Sequence, residues 1–224
     1  MLGGRRRLPV LGEIAVPGAD AGPWSLTSPD LEALDRALGR LGKKRAVLVT
    51  GKEGTARALA IGLAGASAAA GRATVLLDCD LERAALAGDV GLAPSPGLHE
   101  YLRWEATPQQ VLQPLVLAGP ASAGASEPLA FIAAGRPAAD VATLLGLQSF
   151  HHVCGKLRRA YELMVVSGPS LDGPVAPLAA IAPQVDAALV AIASEAAEKT
   201  ERRAMRAALR RLGADPVGAV LVSG

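Results

Sequence analysis

Residues 46–64 read AVLVTGKEGTARALAIGLA, and this stretch decides the fold of the chain. Residues 46–50 are apolar or β-branched, which is typical of a strand buried on both faces. From Thr55 onward the sequence is rich in alanine and leucine, which favours a helix. The glycine-containing turn between them is where many α/β proteins hold the phosphates of a nucleotide, because backbone N–H groups at a helix N-terminus attract anions.

The rest of the chain repeats this alternation of strand and helix. Five more short aliphatic runs lie at residues 73–78, 129–134, 162–167, 186–193 and 216–222. Helical segments are clearest at residues 55–70, 148–161 and 195–212. This alternation, with strands apolar on both faces, predicts an α/β fold: a doubly wound, mostly parallel sheet with helices on both faces.

Length and composition indicate one main folded unit. The chain has 224 residues, half of them hydrophobic, which is enough for one substantial core. We predict a basic arm and extended segment over residues 1–25 and a single domain over residues 26–224. No apolar run approaches the roughly 18 residues of a membrane helix. Cys79 and Cys154 have no disulfide spacing, so we expect a cytoplasmic protein.

Two basic segments each have two interpretations. Arg5–Arg7 would favour an anionic leaflet and so the inner face of a membrane, or would form a solvated arm. The helix over 195–212 would bind DNA or another acidic surface, or would be a solvated face in which Glu195 pairs with Lys199. Its basic residues include Lys199, Arg202, Arg203, Arg206 and Arg210. Because the formal charge is only +2, we favour the solvated face and expect no nucleic-acid partner.

One short segment could suggest a metal site. His151, His152 and Cys154 lie close together in sequence, but no second group of ligands accompanies them. A metal needs three or four converging ligands. We therefore predict that these residues lie on the surface of a helix, and we predict no metal site.

The turn after the first strand departs from a working phosphate loop. A loop of the GxxxxGK[ST] type has a lysine after its last glycine. The turn here consists of Gly51, Lys52, Glu53, Gly54 and Thr55. It is too short for the usual cradle, and Glu53 adds a negative charge where phosphate would lie. Lys52 cannot act as the loop lysine, because no loop precedes it and Glu53 replaces the Mg²⁺-binding hydroxyl. We interpret these five residues as a vestigial phosphate loop with no catalytic residue.

Two other strand ends should converge on this turn, since ligands of such sheets lie beyond the carboxyl ends of the strands. Asp78 and Asp80, in VLLDCDLER, would hold Mg²⁺ or orient a hydroxyl. Alternatively, Asp80 caps a helix that begins at Leu81. The run that ends at Ser167 continues with Gly168 and Pro169 and has no acid, where a phosphoryl-transfer enzyme would place an Mg²⁺-binding aspartate.

The order of several motifs is similar to that of one family. These are LPVLGEIAVP at 8–17, AVLVTGKEG at 46–54, VLLDCDLER at 75–83, SPGLHEYL at 95–102 and SFHHVCGKLRRAYELMVVSGPS at 149–170. Over nearly the whole chain they resemble the bacterial tyrosine kinase domains attached to capsule and exopolysaccharide chain-length regulators, which are relatives of the MinD/ParA ATPases. The resemblance implies a P-loop-type fold, with Asp78 and Asp80 in the Walker A′ motif and Ser167, Gly168 and Pro169 in the Walker B region.

The chain departs from this family at the residues that carry the chemistry. Thr55 and Ala56 stand where the family has lysine and a hydroxyl residue, and the loop is shorter by about three residues. Ser167 stands at the Walker B aspartate position, and Glu82 at the Walker A′ arginine position. The missing lysine and metal ligand act on the transition state of phosphoryl transfer, so we expect very little activity.

We therefore expect a catalytically degenerate kinase-like domain that regulates or scaffolds exopolysaccharide or capsule polymerisation and export. We expect no cofactor beyond weak binding of ATP or ADP with Mg²⁺. Partners would be a polysaccharide co-polymerase membrane protein, related kinase subunits or a second copy of the chain. One alternative is an active kinase or ATPase in which Arg57 or Lys52 replaces the lysine and Asp78 and Asp80 hold Mg²⁺. The other is a MinD/ParA-type positioning module, acting through membrane or DNA contacts.

Overall fold

The computed structural model describes residues 8–16, 27–52, 54–117, 129–194 and 199–223. Within these residues the strands are β1 (Val10–Ala15), β2 (Ala46–Gly51), β3 (Thr74–Asp78), β4 (Leu112–Leu115), β5 (Leu129–Ile132), β6 (Leu163–Ser167), β7 (Ala187–Ala193) and β8 (Pro216–Ser223). They form one sheet in the order β1-β8-β7-β2-β6-β3-β5-β4. Every neighbouring pair is parallel except β4 and β5, which are antiparallel.

The helices cover both faces of this sheet. They are α1 (Ser28–Leu41), α2 (Thr55–Ala69), α3 (Leu86–Asp89), α4 (Leu98–Leu102), α5 (Pro108–Val111), α6 (Val141–Leu145), α7 (Gln148–Ala160), α8 (Val175–Ile181) and α9 (Lys199–Arg211), with a 3-10 turn at Ala182–Gln184. Helices α1, α2 and α3 pack on one face, and α4 to α9 pack on the other. The predicted doubly wound, mostly parallel α/β fold is confirmed.

Both faces of the central strands are buried, which explains their continuous apolar sequence. In β2, Ala46 and Leu48 belong to the core under α4 to α9, whereas Val47 and Val49 belong to the core under α1 to α3. All four side chains are completely buried. Because strand side chains alternate between the two faces, a strand with helices on both sides needs apolar residues at every position.

Helix α1 begins with a capping box that ties it to the edge of the sheet. The N-cap is Thr27, whose Oγ1 donates to Asp30 Oδ2 at 2.5 Å, while the Thr27 backbone N–H donates to the same oxygen at 2.9 Å. The other Asp30 oxygen accepts from the N–H of Ala15 in β1, also at 2.9 Å. The sequence does not single out Thr27 for this role; it indicates Ser28 and Asp30 as caps.

Replacing Asp30 by alanine should therefore destabilise the domain. The carboxylate is buried and accepts three hydrogen bonds, so its removal leaves two backbone N–H groups and one hydroxyl without an acceptor. We expect Asp30→Ala to lower the free energy of unfolding by about 2–3 kcal/mol in urea denaturation. The control is Asp35→Ala on the exposed face of α1, which should change it by less than about 0.5 kcal/mol. Equal effects of the two substitutions would contradict this prediction.

Two strands of the sheet lie outside the predicted aliphatic runs. Part of the predicted extended segment forms β1, which pairs in parallel with β8. Strand β4 forms the opposite edge and contains Pro114, whose missing N–H is tolerated at an edge. Three predictions fall outside the described residues: the basic arm Arg5–Arg7, the effect of Glu53 on phosphate, and the pairing of Glu195 with Lys199.

Candidate functional site

Three neighbouring strands end together at the carboxyl edge of the sheet. Ser167 is the register partner of Val49 in β2 and of Asp78 in β3. The chain leaving β6 is fastened on both sides, because Gly168 N–H donates to the carbonyl oxygen of Val49 at 2.9 Å and Cys79 N–H donates to that of Ser167 at 2.8 Å. The structure thus brings together the three loops that the sequence analysis singled out.

The turn between β2 and α2 is short. Strand β2 ends at Gly51 and α2 begins at Thr55, so three residues separate them. Gly54 is the N-cap residue, has a φ of +76°, and provides no side-chain cap for α2. The Thr55 hydroxyl donates to the carbonyl oxygen of Lys52 at 2.7 Å. Glu53, the acid predicted to disfavour phosphate, lies outside the described residues.

A small open cleft lies against this turn. Its lining residues are Gly51, Lys52, Gly54, Ala56, Arg57, Asp80, Arg83, Gly168 and Ser170. Three of them are cations, Lys52, Arg57 and Arg83, and one is an acid, Asp80. Together with the positive end of the α2 dipole, this set of charges can attract an anion.

Both arginines that line the cleft are paired with carboxylates. Arg57 Nε lies 2.5 Å from Asp89 Oδ2, in a pair whose side chains are partly exposed. Arg83 Nη1 lies 3.4 Å from Asp80 Oδ2. These pairs hold both guanidinium groups beside the cleft. An anionic ligand would have to share them with acids that are already in place.

Asp78 is a completely buried carboxyl group with an unsatisfied oxygen. Its Oδ1 accepts from Asp80 N–H at 3.1 Å, whereas Oδ2 has no hydrogen-bond partner among the described residues. The Oγ of Ser167, the register partner of Asp78, also lacks one there. The pKa of Asp78 is raised from 3.8 to about 7. Burial is the main cause and the nearby Asp80 carboxylate adds to it, while N–H groups of Asp80 and Leu86 and the charge of Arg57 oppose the rise.

No helix begins at Leu81, so that part of the alternative predicted for Asp80 is wrong, although its Oδ1 accepts from Arg83 N–H at 3.5 Å, as a cap would. Residues 81–83 form a turn, and the next helix, α3, begins only at Leu86. The turn is closed by Ala84 N–H, which donates to the Asp80 carbonyl oxygen at 2.8 Å. The Asp80 carboxylate instead lies at the cleft and pairs with Arg83, so it faces any ligand there.

The loop after β6 approaches the turn through its backbone. Thr50 Oγ1 donates to the carbonyl oxygen of Pro169 at 2.7 Å, and Leu171 N–H donates to that of Gly51 at 3.1 Å. Gly168 and Ser170 line the cleft, whereas no carboxylate from this loop does. Sequence analysis did not single out Thr50 or Ser170 as site residues, and a hydroxyl at a strand end next to a glycine turn is the signal that could have indicated them.

The histidine and cysteine segment lies on α7, away from this edge. His151 and His152 are exposed, as predicted, but Cys154 is completely buried in the core. His151 Nδ1 lies 2.6 Å from Gln184 Nε2. Among the described residues, no group of three or more His, Cys, Asp or Glu side chains is arranged to hold a metal ion.

Comparison with solved structures defines the class of fold. The chimerical protein CapA2B2 superposes with a TM-score of 0.79 at 18% identity, covering 96% of this chain and 94% of that one. The BceF tyrosine kinase domain gives 0.77 at 17% identity, covering 96% and 93%. The septum site-determining protein MinD from Pyrococcus horikoshii, complexed with Mg-ADP, gives 0.59 at 17% identity, covering 79% and 69%. No protein-family model and no curated protein matches the sequence.

These likenesses confirm the resemblance at the level of fold. The chain has the P-loop NTPase-like α/β fold of bacterial tyrosine kinase domains, with MinD-like ATPases as further structural neighbours. CapA2B2 and the BceF tyrosine kinase domain match almost end to end, whereas MinD matches about four-fifths of the chain. Among the described residues, no helix has both the length and the hydropathy needed to cross a bilayer.

Proposed function

We propose that this chain is a catalytically degenerate kinase-like domain, and the short turn between β2 and α2 is the observation that carries the proposal. Three residues separate the end of β2 from the start of α2, so few backbone N–H groups can curl around a polyphosphate. The helix starts with Thr55 and Ala56, where a working loop has lysine followed by a hydroxyl residue. The Thr55 hydroxyl already donates to the backbone carbonyl oxygen of Lys52. These residues do not fit Mg-ATP.

The loop after β6 supports the same conclusion. In phosphoryl-transfer enzymes of this fold, an aspartate after the corresponding strand holds Mg²⁺. Here Ser167 and Gly168 occupy that place, and any Cβ on residue 168 would lie 2.5 Å from Leu48 Cδ1. Phosphoryl transfer depends on positioned positive charge, so a site without the lysine and this metal ligand would catalyse it very slowly.

A domain that keeps the fold without the chemistry would act through binding. We propose a regulatory or scaffolding role in exopolysaccharide or capsule polymerisation and export. The support is the motif resemblance to kinase domains of chain-length regulators and the nearly end-to-end likeness to the BceF tyrosine kinase domain. The partners proposed are a polysaccharide co-polymerase membrane protein, related kinase subunits or a second copy of the chain.

Nucleotide titration tests the proposal directly. We expect calorimetric titration of the purified chain with ADP or ATP, with and without Mg²⁺, to show no binding tighter than about 1 mM, which corresponds to about 4 kcal/mol. The matched control is Asp78→Ala, which should give the same result as the unchanged protein. Micromolar, Mg²⁺-dependent binding that disappears in Asp78→Ala would overturn the proposal.

The second candidate is a working nucleotide-binding enzyme, and Asp78 is the observation that favours it. A buried carboxyl group with an unsatisfied oxygen and a raised pKa lowers the stability of the fold, and such groups cluster at functional sites. Lys52 and Arg57 both line the cleft and could supply the missing positive charge. However, Arg57 is paired with Asp89, and the neighbouring Asp80 with Arg83, so binding would require these pairs to open or to be shared.

A further inference from the structure

A second charged surface lies on α9, at the other edge of the sheet from β4. Met205 and Leu209 on its inner face are buried in the core. The residues exposed on its outer face are Arg203, Ala204, Ala207, Arg210 and Arg211. Residues 207, 210 and 211 follow Arg203 by four, seven and eight positions, which places them on the same side of the helix. We call Arg203, Arg210 and Arg211 the α9 arginine face.

The charge of this helix is large compared with that of the chain. The segment 199–211 contains six basic residues and one acidic residue, a net charge of +5, whereas the whole chain carries +2. The rest of the chain is therefore acidic, at −3. Positive charge concentrated on one helix creates a local field that the overall charge conceals.

The α9 arginine face is not neutralised within the described part of the chain. There, no carboxylate forms an ion pair with Arg203, Arg210 or Arg211, although most other well-placed arginines do pair, including Arg57, Arg103 and Arg158. Guanidinium groups left free on a surface bind carboxylates or phosphates readily, because their planar donors match those oxygens. The face is therefore available to an anionic partner.

We propose that the α9 arginine face docks on an anionic lipid surface. A bilayer is a flat polyanion that touches only one side of a protein, which suits a domain that is basic on one helix and acidic elsewhere. Helix α9 would lie against the headgroups without entering the bilayer, because its apolar residues Met205 and Leu209 are committed to the core. The inference does not depend on whether the cleft binds a nucleotide.

Nucleic acid fits this surface less well. A single-strand binding site combines positive charge with aromatic side chains on which bases stack. Trp104, which follows α4, is the aromatic residue among the large hydrophobic side chains that are exposed in the described part of the chain. Helix α4 contacts the loop after β5, near the opposite edge of the sheet from α9. The acidic remainder of the chain would also repel a duplex that approached beyond α9.

Vesicle co-sedimentation of the full chain tests this inference. The probes are vesicles of phosphatidylcholine alone and vesicles containing about 30 mol% phosphatidylglycerol. We expect binding to the anionic vesicles only, weakened at least about tenfold between 50 and 300 mM salt because screening shortens the range of the attraction. Each basic residue near an anionic surface contributes roughly fivefold, so Arg203→Ala/Arg210→Ala/Arg211→Ala should weaken binding about a hundredfold.

Two matched variants make the test specific. Arg40→Ala/Lys43→Ala/Arg159→Ala also removes three positive charges, but from exposed positions outside α9, and should change binding to anionic vesicles less than about threefold. Arg203→Lys/Arg210→Lys/Arg211→Lys keeps the charge and should retain binding, since a lipid surface responds to charge rather than to guanidinium geometry. The lysine variant also serves if the alanine variant fails to fold by circular dichroism.

Several outcomes would overturn the inference. The first is equal binding to neutral and anionic vesicles, or no binding to either. The second is the same loss in the Arg40/Lys43/Arg159 variant as in the α9 variant. A third is loss of binding in the lysine variant, which would point to a protein partner that requires guanidinium groups. The last is binding to a 20-base-pair duplex, measured by fluorescence anisotropy at the same salt, that is as tight as binding to anionic vesicles.

Discussion

Asp78→Asn should make the domain more stable at pH 8, and the gain should vanish as the pH is lowered to about 4. The folded pKa of Asp78, about 7, lies above the value of 3.8 that applies when the chain is unfolded. Between these two values the native carboxyl keeps its proton while the unfolded one has lost it. The native state therefore binds more protons, and its stability falls as the pH rises through this window.

The size of the effect follows from the width of that window. Each pKa unit corresponds to about 1.4 kcal/mol, so a shift of about three units amounts to about 4 kcal/mol of stability lost by pH 8. Asparagine has the shape of the protonated carboxyl and cannot ionise, so Asp78→Asn should recover much of that loss. Urea denaturation of both proteins at pH 4, 5, 6, 7 and 8 measures it.

An exposed control and a metal titration complete the experiment. Asp35→Asn, on the outer face of α1, should leave the pH dependence unchanged. If Asp78→Asn is less stable than the unchanged protein at pH 8, the carboxylate has a stabilising partner in solution and the prediction fails. Stabilisation of the unchanged protein by millimolar Mg²⁺ at pH 8, absent in Asp78→Asn, would identify that partner and favour the nucleotide-binding candidate.

Gly51→Ala should destabilise the domain by at least about 3 kcal/mol. A Cβ at Gly51 would lie 2.2 Å from the carbonyl oxygen of Ala191, its register partner in β7. Both groups belong to paired strands in the centre of the sheet, so neither backbone can move without breaking the β2–β7 pairing. The glycine thus brings β2 and β7 close together directly beneath the candidate site.

The control for this substitution is another glycine that becomes alanine without a clash. Gly39 lies in α1, and nothing lies within 4 Å of a Cβ built on it. Gly39→Ala should raise the free energy of unfolding by about 0.5–1 kcal/mol, because alanine favours a helix and restricts the unfolded chain. Thermal and urea denaturation of both variants provide the measurement. A stable, natively folded Gly51→Ala protein would show that the two strands can separate here.

The sequence predicts the central strands well because helices on both faces impose a visible pattern. Val47 and Val49 face one core and Ala46 and Leu48 the other, so the strand is apolar throughout. The edge strands carry weaker signals. Strand β4 contains Pro114 and half-exposed positions, and β1 contains a glycine and a glutamate, so neither resembles a buried run.

At the candidate site, the sequence predicts which loops meet but not the state of their side chains. The convergence of Asp78 with Ser167 follows from parallel strands ending at the same edge. The raised pKa of Asp78 depends on complete burial by packing from many elements, which no local pattern encodes. The pairing of Arg57 with Asp89 joins residues 32 positions apart, and the clash that requires Gly51 involves Ala191. Such contacts become visible only in three dimensions.

The position of β8 between β1 and β7 has a consequence for how the domain forms. Strand β1 is the first of the described strands along the chain, and its neighbour β8 is the last. During synthesis the segment 10–15 must wait for residues 216–223 to leave the ribosome before it can pair. Contacts this distant in sequence slow folding, because a long loop must close before they form. We therefore expect the hydrogen bond from Val16 N–H to the carbonyl oxygen of Ser223 to be among the last native hydrogen bonds to be protected from hydrogen exchange as the chain refolds.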